Sequence, residues 1–228
     1  MYDVFFQCFD ELNADENFEV LKQKAPHAQR VQGIVGIHNA HKYCAKQSKT
    51  ELFYVIDGDA CMKEDFEFEY KGFDNKVYQW NAIDGVYGTS WQTGGLKLFP
   101  KDAVLSARDW GGKYLDSTTT ISNNDHEIID KIASSHLYNT CPLHTWRTIF
   151  REYIKQVSRK NPSQLTQKKL KLYLTHGNRD TSGYAWYARM GAYAAQSYYK
   201  EHKNSPEKLM IINDYNALST LFNNYQIQ

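Results

Sequence analysis

Residues 52–59 read Leu-Phe-Tyr-Val-Ile-Asp-Gly-Asp, an apolar, β-prone run that ends in two aspartates separated by a glycine. Such a run predicts a buried strand, and in an open α/β sheet ligands bind beyond the carboxyl ends of the strands. Gly58 permits a sharp turn, so Asp57 and Asp59 could grip one divalent cation and the phosphates attached to it. Asp-Gly-Asp also occurs in ordinary solvated turns, and the triplet alone does not separate the two interpretations.

The first third of the chain alternates between strand and helix patterns. Asn13 followed by Glu16 resembles a capping box, and the helix that it opens is expected to end before Pro26. A second helix is predicted at Ile37–Gln47. Strands are predicted at residues 4–9, 28–31 and 52–56. This alternation predicts parallel strands joined by right-handed crossovers.

The rest of the chain changes from strand patterns to helix patterns. Residues 66–70 and 76–80 alternate between polar and apolar side chains and predict an antiparallel excursion, and residues 94–100 predict a further strand. Apolar spacing predicts helices at residues 127–137, 145–157 and 186–200. The predicted fold is therefore a single α/β domain over residues 1–228, with a central mixed sheet and a helical C-terminal part.

Composition narrows the function only slightly. The formal net charge of the chain is +1, which does not favour a strongly basic nucleic-acid binder but leaves room for a local basic patch. The four cysteines are scattered and form no CxxC pair, as is typical of reduced thiols in a cytoplasmic protein. The N-terminal segment has neither a basic region nor a long apolar run, and no stretch of sequence is long and apolar enough for a membrane span. We therefore expect a cytoplasmic protein without membrane contact.

Several segments together resemble a known family. The order of these segments is similar to that of the small GT-A-fold glycosyltransferases of phages and some fungi, the TET/JBP-associated glycosyltransferases. The most specific part is the string Asn-Thr-Cys-Pro at residues 139–142, followed by Thr-Trp-Arg at 145–147 and Phe-Arg-Glu at 150–152. The segments are residues 4–11, 35–42, 53–59, 94–99, 115–119 and 138–152.

This resemblance implies a GT-A-like fold with a donor-binding half at residues 1–100 and an acceptor and helical half at residues 101–228. It implies a UDP-sugar as donor and hydroxymethylated pyrimidines in DNA as acceptor, with the host cytoplasm as the location if the protein is phage-encoded. It also implies that Asp59 binds Mn²⁺ or Mg²⁺ and that Asp57 contacts the ribose or the metal. The cation would stabilise the diphosphate as a leaving group.

Four more residues are expected to bind the donor. The two that follow the first strand could alternatively supply negative charge at a helix start, and the two near the start of the second helix could instead be ordinary surface residues. These donor-binding residues are Asp10, Glu11, His38 and Lys42.

A late histidine is often a third metal ligand in GT-A folds. His136, His144 and His176 are candidates, and His176 is preferred because it precedes Gly177 in a predicted loop. Each of these histidines could equally have a structural role.

The predicted catalytic residue is Asp116, which precedes a run of four serine and threonine residues. A carboxylate placed beyond a strand could accept the proton of an acceptor hydroxyl if the enzyme inverts the sugar carbon. The alternative is a cap of the Ser/Thr turn. Trp91, Gly94 and Gly95 form a loop that could border the acceptor, or Trp91 could simply pack at the rim.

A basic tract could bind the DNA. No acidic residue occurs between residues 153 and 179, and Lys168, Lys169 and Lys171 lie within this stretch. Arg147 and Arg151 are one helical turn apart and could meet phosphate or pair with neighbouring acids. The alternative for the tract is a solvated helical face.

The sequence hypothesis is thus a metal-dependent glycosyltransferase that moves a sugar to 5-hydroxymethylcytosine or 5-hydroxymethyluracil in DNA. One alternative is a GT-A enzyme with a saccharide or protein acceptor. Another is a catalytically silent module that binds a nucleotide sugar or DNA.

Overall fold

The structure is a computed structural model that describes residues 1–72, 76–91, 95–108, 121, 126–175 and 182–226. These residues form two compact units. The first unit contains the described residues up to Leu137 except residues 85–88, and the second contains residues 85–88 and the described residues from Tyr138 onward. The units thus divide near residue 137, whereas the predicted halves divide at residue 100.

An eight-stranded mixed sheet forms the centre of the first unit. Seven strands lie in the order β2-β1-β3-β7-β5-β8-β4, and β6 pairs with β5. The strands are β1 (Asp3–Cys8), β2 (Gln29–Gln32), β3 (Leu52–Asp57), β4 (Ala60–Met62), β5 (Val77–Asp84), β6 (Ser90–Trp91), β7 (Leu96–Pro100) and β8 (His126–His136).

The direction of the strands decides where a site can form. β1 is parallel to both β2 and β3, and β5 is parallel to β8. β7 is antiparallel to both β3 and β5, so β3 and β5 point the same way. The strands β1, β2, β3, β5 and β8 therefore end at one common edge of the sheet, which we call the carboxyl edge.

Both faces of the sheet are covered, which explains why β3 is apolar along its whole length. Tyr54 and Ile56 pack into a core on one face, and Phe53 and Val55 pack into a second core on the other. A strand buried on both faces reads as a continuous apolar run. The helices of this unit are α1 (Ala14–Lys24), α2 (Ile37–Gln47) and α3 (Lys101–Ser106).

The second unit is helical and has its own core. Trp146 stacks on Phe150 with ring centroids 4.9 Å apart, and Phe222 contacts the same Trp146 ring in an edge-to-face arrangement. The helices are α4 (Pro142–Val157), α5 (Gln164–Tyr173), α6 (Ala185–His202), α7 (Pro206–Leu209) and α8 (Tyr215–Gln226), with a 3-10 turn at Met210–Asn213.

The α/β class and the mixed sheet are confirmed, together with the strand and helix alternation of the first third. The helix predicted at residues 127–137 is wrong, since this segment is β8. A bulge explains the error: Trp80 pairs with Ile129, but the next residue, Asn81, pairs with Ile132. The two extra residues break the period of two, so the isoleucines recur at a spacing typical of a helix.

Two further predictions fail in detail. Residues 66–70 were predicted to form a strand, but this described segment has no regular secondary structure. Its aromatic rings instead pack on the sheet, where Phe66 and Tyr70 each contact Trp80 in an edge-to-face arrangement. The helices α5 and α8 were not predicted. None of the helices among the described residues is long and apolar enough to cross a membrane.

Candidate site at the carboxyl edge

The Asp57-Gly58-Asp59 turn joins β3 to β4 at the carboxyl edge, as predicted. Gly58 is required there because a Cβ atom at this position would lie 2.7 Å from Cys8 Cβ and 2.8 Å from the Glu11 carboxylate. The buried side chain of Asn17, on α1, donates a hydrogen bond of 2.9 Å to the Gly58 carbonyl. The turn is thus fixed by α1 through Asn17 and by the end of β1, which lies directly against it.

Asp57 is positioned by β7. Its backbone N–H donates to the Gly95 carbonyl at 2.7 Å, and its carboxylate accepts a hydrogen bond from Lys97 Nζ at 3.0 Å. Gly95 allows this approach, since a Cβ atom there would lie 2.5 Å from Ala60 Cβ. Gly95 therefore has a packing role beside the turn, in addition to the acceptor role that the sequence predicts for its loop.

Asp59 is paired with His136 at the end of β8. The Leu137 N–H donates to the Asp59 carbonyl at 2.7 Å, which brings the last residue of β8 beside the turn. His136 Nε2 lies 2.9 Å from Asp59 Oδ2. Sequence reasoning preferred His176 as the histidine of the site, but the structure brings His136 to the carboxylate.

Glu11 completes this group of side chains. Its carboxylate accepts a hydrogen bond of 2.7 Å from the Phe9 N–H. Burial raises the pKa of Glu11, and repulsion by the Asp59 and Asp10 carboxylates adds to the rise. The group, which we call the edge cluster, consists of Glu11, Asp57, Asp59, Lys97 and His136.

The electrostatics of the edge cluster favour a charged Asp59–His136 pair. Burial alone lowers the pKa of His136, but attraction to Asp59, with smaller contributions from Asp84 and Asp57, raises the pKa to about 9. Burial alone raises the pKa of Asp59, but the charge and hydrogen bond of His136 outweigh it and lower the pKa. At neutral pH His136 therefore donates a charged hydrogen bond to the Asp59 carboxylate.

The pair remains within reach of a ligand. The exposed fraction of the side chain is 25% for His136, 18% for Asp59, 14% for Lys97 and 31% for Asp57.

Sequence reasoning missed two charged residues at this edge. Asp84, which ends β5 and pairs in register with His136, adds a carboxyl group. Lys97 could have been found from the sequence, because it is a charged residue between Leu96 and Leu98 in an otherwise apolar strand.

Titration of His136 gives a testable consequence in metal-free buffer. A folded-state pKa of about 9 is above the ordinary value of about 6.5, so the pair stabilises the fold fully below the unfolded pKa. This contribution, at most about 3 kcal/mol, is lost as the pH rises through the folded pKa. Urea unfolding from pH 6 to 10 should therefore show a steeper loss of stability for the wild type than for His136→Gln. Parallel profiles for the two proteins would contradict the charged pair.

The edge cluster fits a divalent cation in its chemistry but is not arranged as a ligand set. Carboxylate oxygens are the ligands that Mg²⁺ and Mn²⁺ prefer. The three carboxyl groups of the edge cluster, with Asp10 and Asp84 close by, outnumber its two cationic side chains. Among the described residues, however, no group of three or more histidine, cysteine or acidic side chains is placed to hold a metal ion. Lys97 and His136 are hydrogen-bonded to the carboxylates of Asp57 and Asp59. The two aspartates would therefore hold the ion only after it displaced one of these cationic side chains.

Other predicted donor residues lie near the same edge. α2 begins beyond the end of β2, and His38 and Lys42 occupy its first two turns, where both side chains are partly buried. Asp10 follows β1 and lies close enough to Glu11 to affect its pKa. Their roles in donor binding stay predictions. Asp116, Gly94 and His176 lie outside the described residues, as does the side chain of Trp91.

The basic residues of the second unit divide into buried and exposed groups. The Arg147 and Arg151 guanidinium groups lie 4.0 Å and 4.9 Å from the ring centroid of Tyr215, and only 6% of Arg147 is exposed. Arg151 Nε also donates to the Ile212 carbonyl at 2.7 Å. These contacts favour a structural role for both arginines.

The same division occurs along α5. Lys169 is only 5% exposed, and its charge contributes to lowering the pKa of Glu152. Glu152 also accepts a hydrogen bond from Lys155 at 2.9 Å. Lys168 and Lys171, by contrast, are exposed and lie one turn apart. Of the three predicted acceptor lysines, these two have exposed side chains, and their role in acceptor binding stays a prediction.

No protein-family model matches the chain, and no curated protein matches it.

Proposed function

We propose that the protein is a nucleotide-sugar-dependent glycosyltransferase whose acceptor is the hydroxymethyl group of 5-hydroxymethylcytosine or 5-hydroxymethyluracil in DNA. The observation that carries the proposal is the edge cluster. The ends of β1, β3 and β8 bring its carboxylates and imidazole to the edge of an α/β sheet where ligands bind, and Asp84 ends the neighbouring strand β5.

The cluster supplies groups suited to a nucleoside diphosphate. Asp57 can accept hydrogen bonds from ribose hydroxyls, while Lys97 and the protonated His136 carry positive charge that can face phosphate oxygens. A divalent ion held by Asp57 and Asp59 would neutralise the diphosphate and make it a better leaving group.

The proposed reaction exchanges one bond at the sugar carbon for another. The bond between C1 of the sugar and the diphosphate oxygen breaks, and C1 bonds to the hydroxymethyl oxygen of the base. UDP leaves with the electron pair of the broken bond. In an inverting reaction Asp116 accepts the hydroxyl proton, as predicted from its position in the sequence.

The charge of the second unit supports a DNA acceptor. Residues 138–228 contain thirteen lysines and arginines and five acidic residues, a formal charge of +8, whereas residues 1–137 have fourteen and twenty-one, a formal charge of −7. The net charge of the whole chain is therefore close to zero although its C-terminal part is strongly basic. Basic side chains on one part of a protein provide the phosphate-binding charge that DNA recognition needs.

The decisive test combines acceptor, donor and metal. The protein is incubated with UDP-sugars and DNA that contains hydroxymethylcytosine or hydroxymethyluracil, and the digested nucleosides are analysed by mass spectrometry. We expect a mass increase of one sugar in the presence of Mn²⁺ or Mg²⁺, loss of product in EDTA, and recovery when the ion is restored.

The controls separate the parts of the proposal. DNA with unmodified cytosine and thymine lacks the acceptor hydroxyl and should stay unmodified. Full turnover in EDTA would remove the cation from the mechanism but not the transferase activity. Transfer to saccharides or proteins without any transfer to DNA would instead favour the first alternative acceptor class.

A further inference from the structure

One face of α6 carries two exposed aromatic rings with an arginine between them. Trp186 is 54% exposed and Tyr193 is 45% exposed. The Arg189 guanidinium lies 5.5 Å from the centroid of the Tyr193 ring and donates to the Tyr193 hydroxyl at 3.4 Å. We call these three residues the α6 stripe.

The opposite face of α6 fixes this orientation. Ala188, Ala192 and Ala195 are buried in the core of the second unit. Gly191 approaches α4 so closely that a Cβ atom there would lie 2.4 Å from the carbonyl oxygen of Trp146. Small residues therefore hold the helix against its neighbour, and the two aromatic residues of the α6 stripe lie on the other, partly exposed side of the helix.

The spacing of the two rings matches a stacked nucleic-acid strand. Tyr193 lies seven positions after Trp186, which is nearly two helical turns. The two residues therefore share one face and lie about 10 Å apart along the helix axis. Three base steps in a strand span about the same length, at roughly 3.4 Å each. Aromatic rings stack on bases of any sequence, but only where the face of the base is open.

Charge favours a polyanionic strand over an uncharged sugar. Arg189 lies within the stripe, and the chain from residue 138 onward carries a formal charge of +8. An arginine beside stacked rings can meet a backbone phosphate while the rings hold the bases.

We propose that the α6 stripe binds unpaired bases of the DNA acceptor strand. This inference rests on the proposed function for the identity of its ligand. An enzyme that extrudes its target base from a duplex leaves the neighbouring bases unstacked on one side. A stacking surface for these bases would offset part of the cost of opening the duplex.

The test compares two oligonucleotides of equal charge. Fluorescence anisotropy measures binding of labelled oligothymidylate and of an abasic strand of the same length, over a range of salt concentrations. Replacing Trp186 and Tyr193 together by Ala should weaken binding of oligothymidylate about tenfold or more and leave the salt slope unchanged. Binding of the abasic strand should stay the same, since its phosphates are retained.

Two further variants act as controls. Tyr43→Ala removes an exposed tyrosine of matching exposure, 44%, from α2 and should leave binding of both strands unchanged. Trp186→Phe with Tyr193→Phe keeps two rings and should restore most of the affinity for oligothymidylate. Circular dichroism checks that all variants fold.

Each outcome decides the inference. Equal weakening for both strands, or no weakening for either, would overturn it. Wild-type binding that depends on the stripe, in a protein that transfers no sugar to any DNA, would support the stripe and overturn only the proposed function. If the protein transfers sugar to DNA but its single-strand binding does not depend on the stripe, the proposed function is supported and the inference about the stripe is overturned.

Discussion

Replacing Asp59 by Asn is expected to lower sugar transfer to hydroxymethylated DNA by about 10²–10³-fold, the loss typical of removing one charge-stabilising group from an active site. Asn has nearly the same size and can still accept the hydrogen bond from His136 Nε2, which lies 2.9 Å from the Asp59 carboxylate. It removes the negative charge that a divalent ion needs. The measurement is the initial rate of nucleoside modification at saturating UDP-sugar.

The matched control is Asp65→Asn, which removes one negative charge from an exposed position away from the turn. Its rate should equal that of the wild type, which excludes an effect of net charge alone. If Asp59→Asn kept most of the wild-type rate, the Asp57-Gly58-Asp59 turn would have a structural role only. Equal circular dichroism spectra of the variant and the wild type ensure that a lost rate reports chemistry and not unfolding.

The sequence predicted the part of the candidate site that depends on strand ends. A buried strand that stops at two aspartates must place them at a sheet edge, and Glu11 follows a strand parallel to it. His136 could not be placed in the same way, because the bulge in β8 gives its isoleucines a helical spacing. Without the strand, nothing in the sequence aligns residue 136 with residue 59.

The basic tract shows a second limit of sequence reasoning. Lys168 and Lys169 are neighbours in the sequence, but adjacent residues on a helix point about 100° apart. Lys169 is turned inward, where its charge lowers the pKa of Glu152, while Lys168 is exposed. An acid-free stretch therefore predicts positive charge in a region but cannot say which lysines reach a ligand. That depends on how α5 packs, which involves residues far along the chain.

Replacing Gly191 by Ala is expected to destabilise the second unit by about 2 kcal/mol, since overpacking of this kind usually costs 1–3 kcal/mol. In an isolated helix the same change would stabilise by nearly 1 kcal/mol, because Ala is the better helix former. The sign therefore reveals the close approach, in which the new methyl group would lie 2.4 Å from the Trp146 carbonyl oxygen. Urea unfolding followed by tryptophan fluorescence measures the difference.

The clash in this variant is with backbone, so no rotation of a side chain can relieve it, and α4 and α6 must move apart. Gly191→Val should cost more than Gly191→Ala, because a branched side chain needs still more room. Ser197→Ala, at an exposed position of the same helix, is the control and should leave stability unchanged or slightly raised. A stabilised Gly191→Ala protein would mean that the two helices do not meet at this glycine. The Trp186 and Tyr193 rings would then lack the rigid support on which the stacking surface depends.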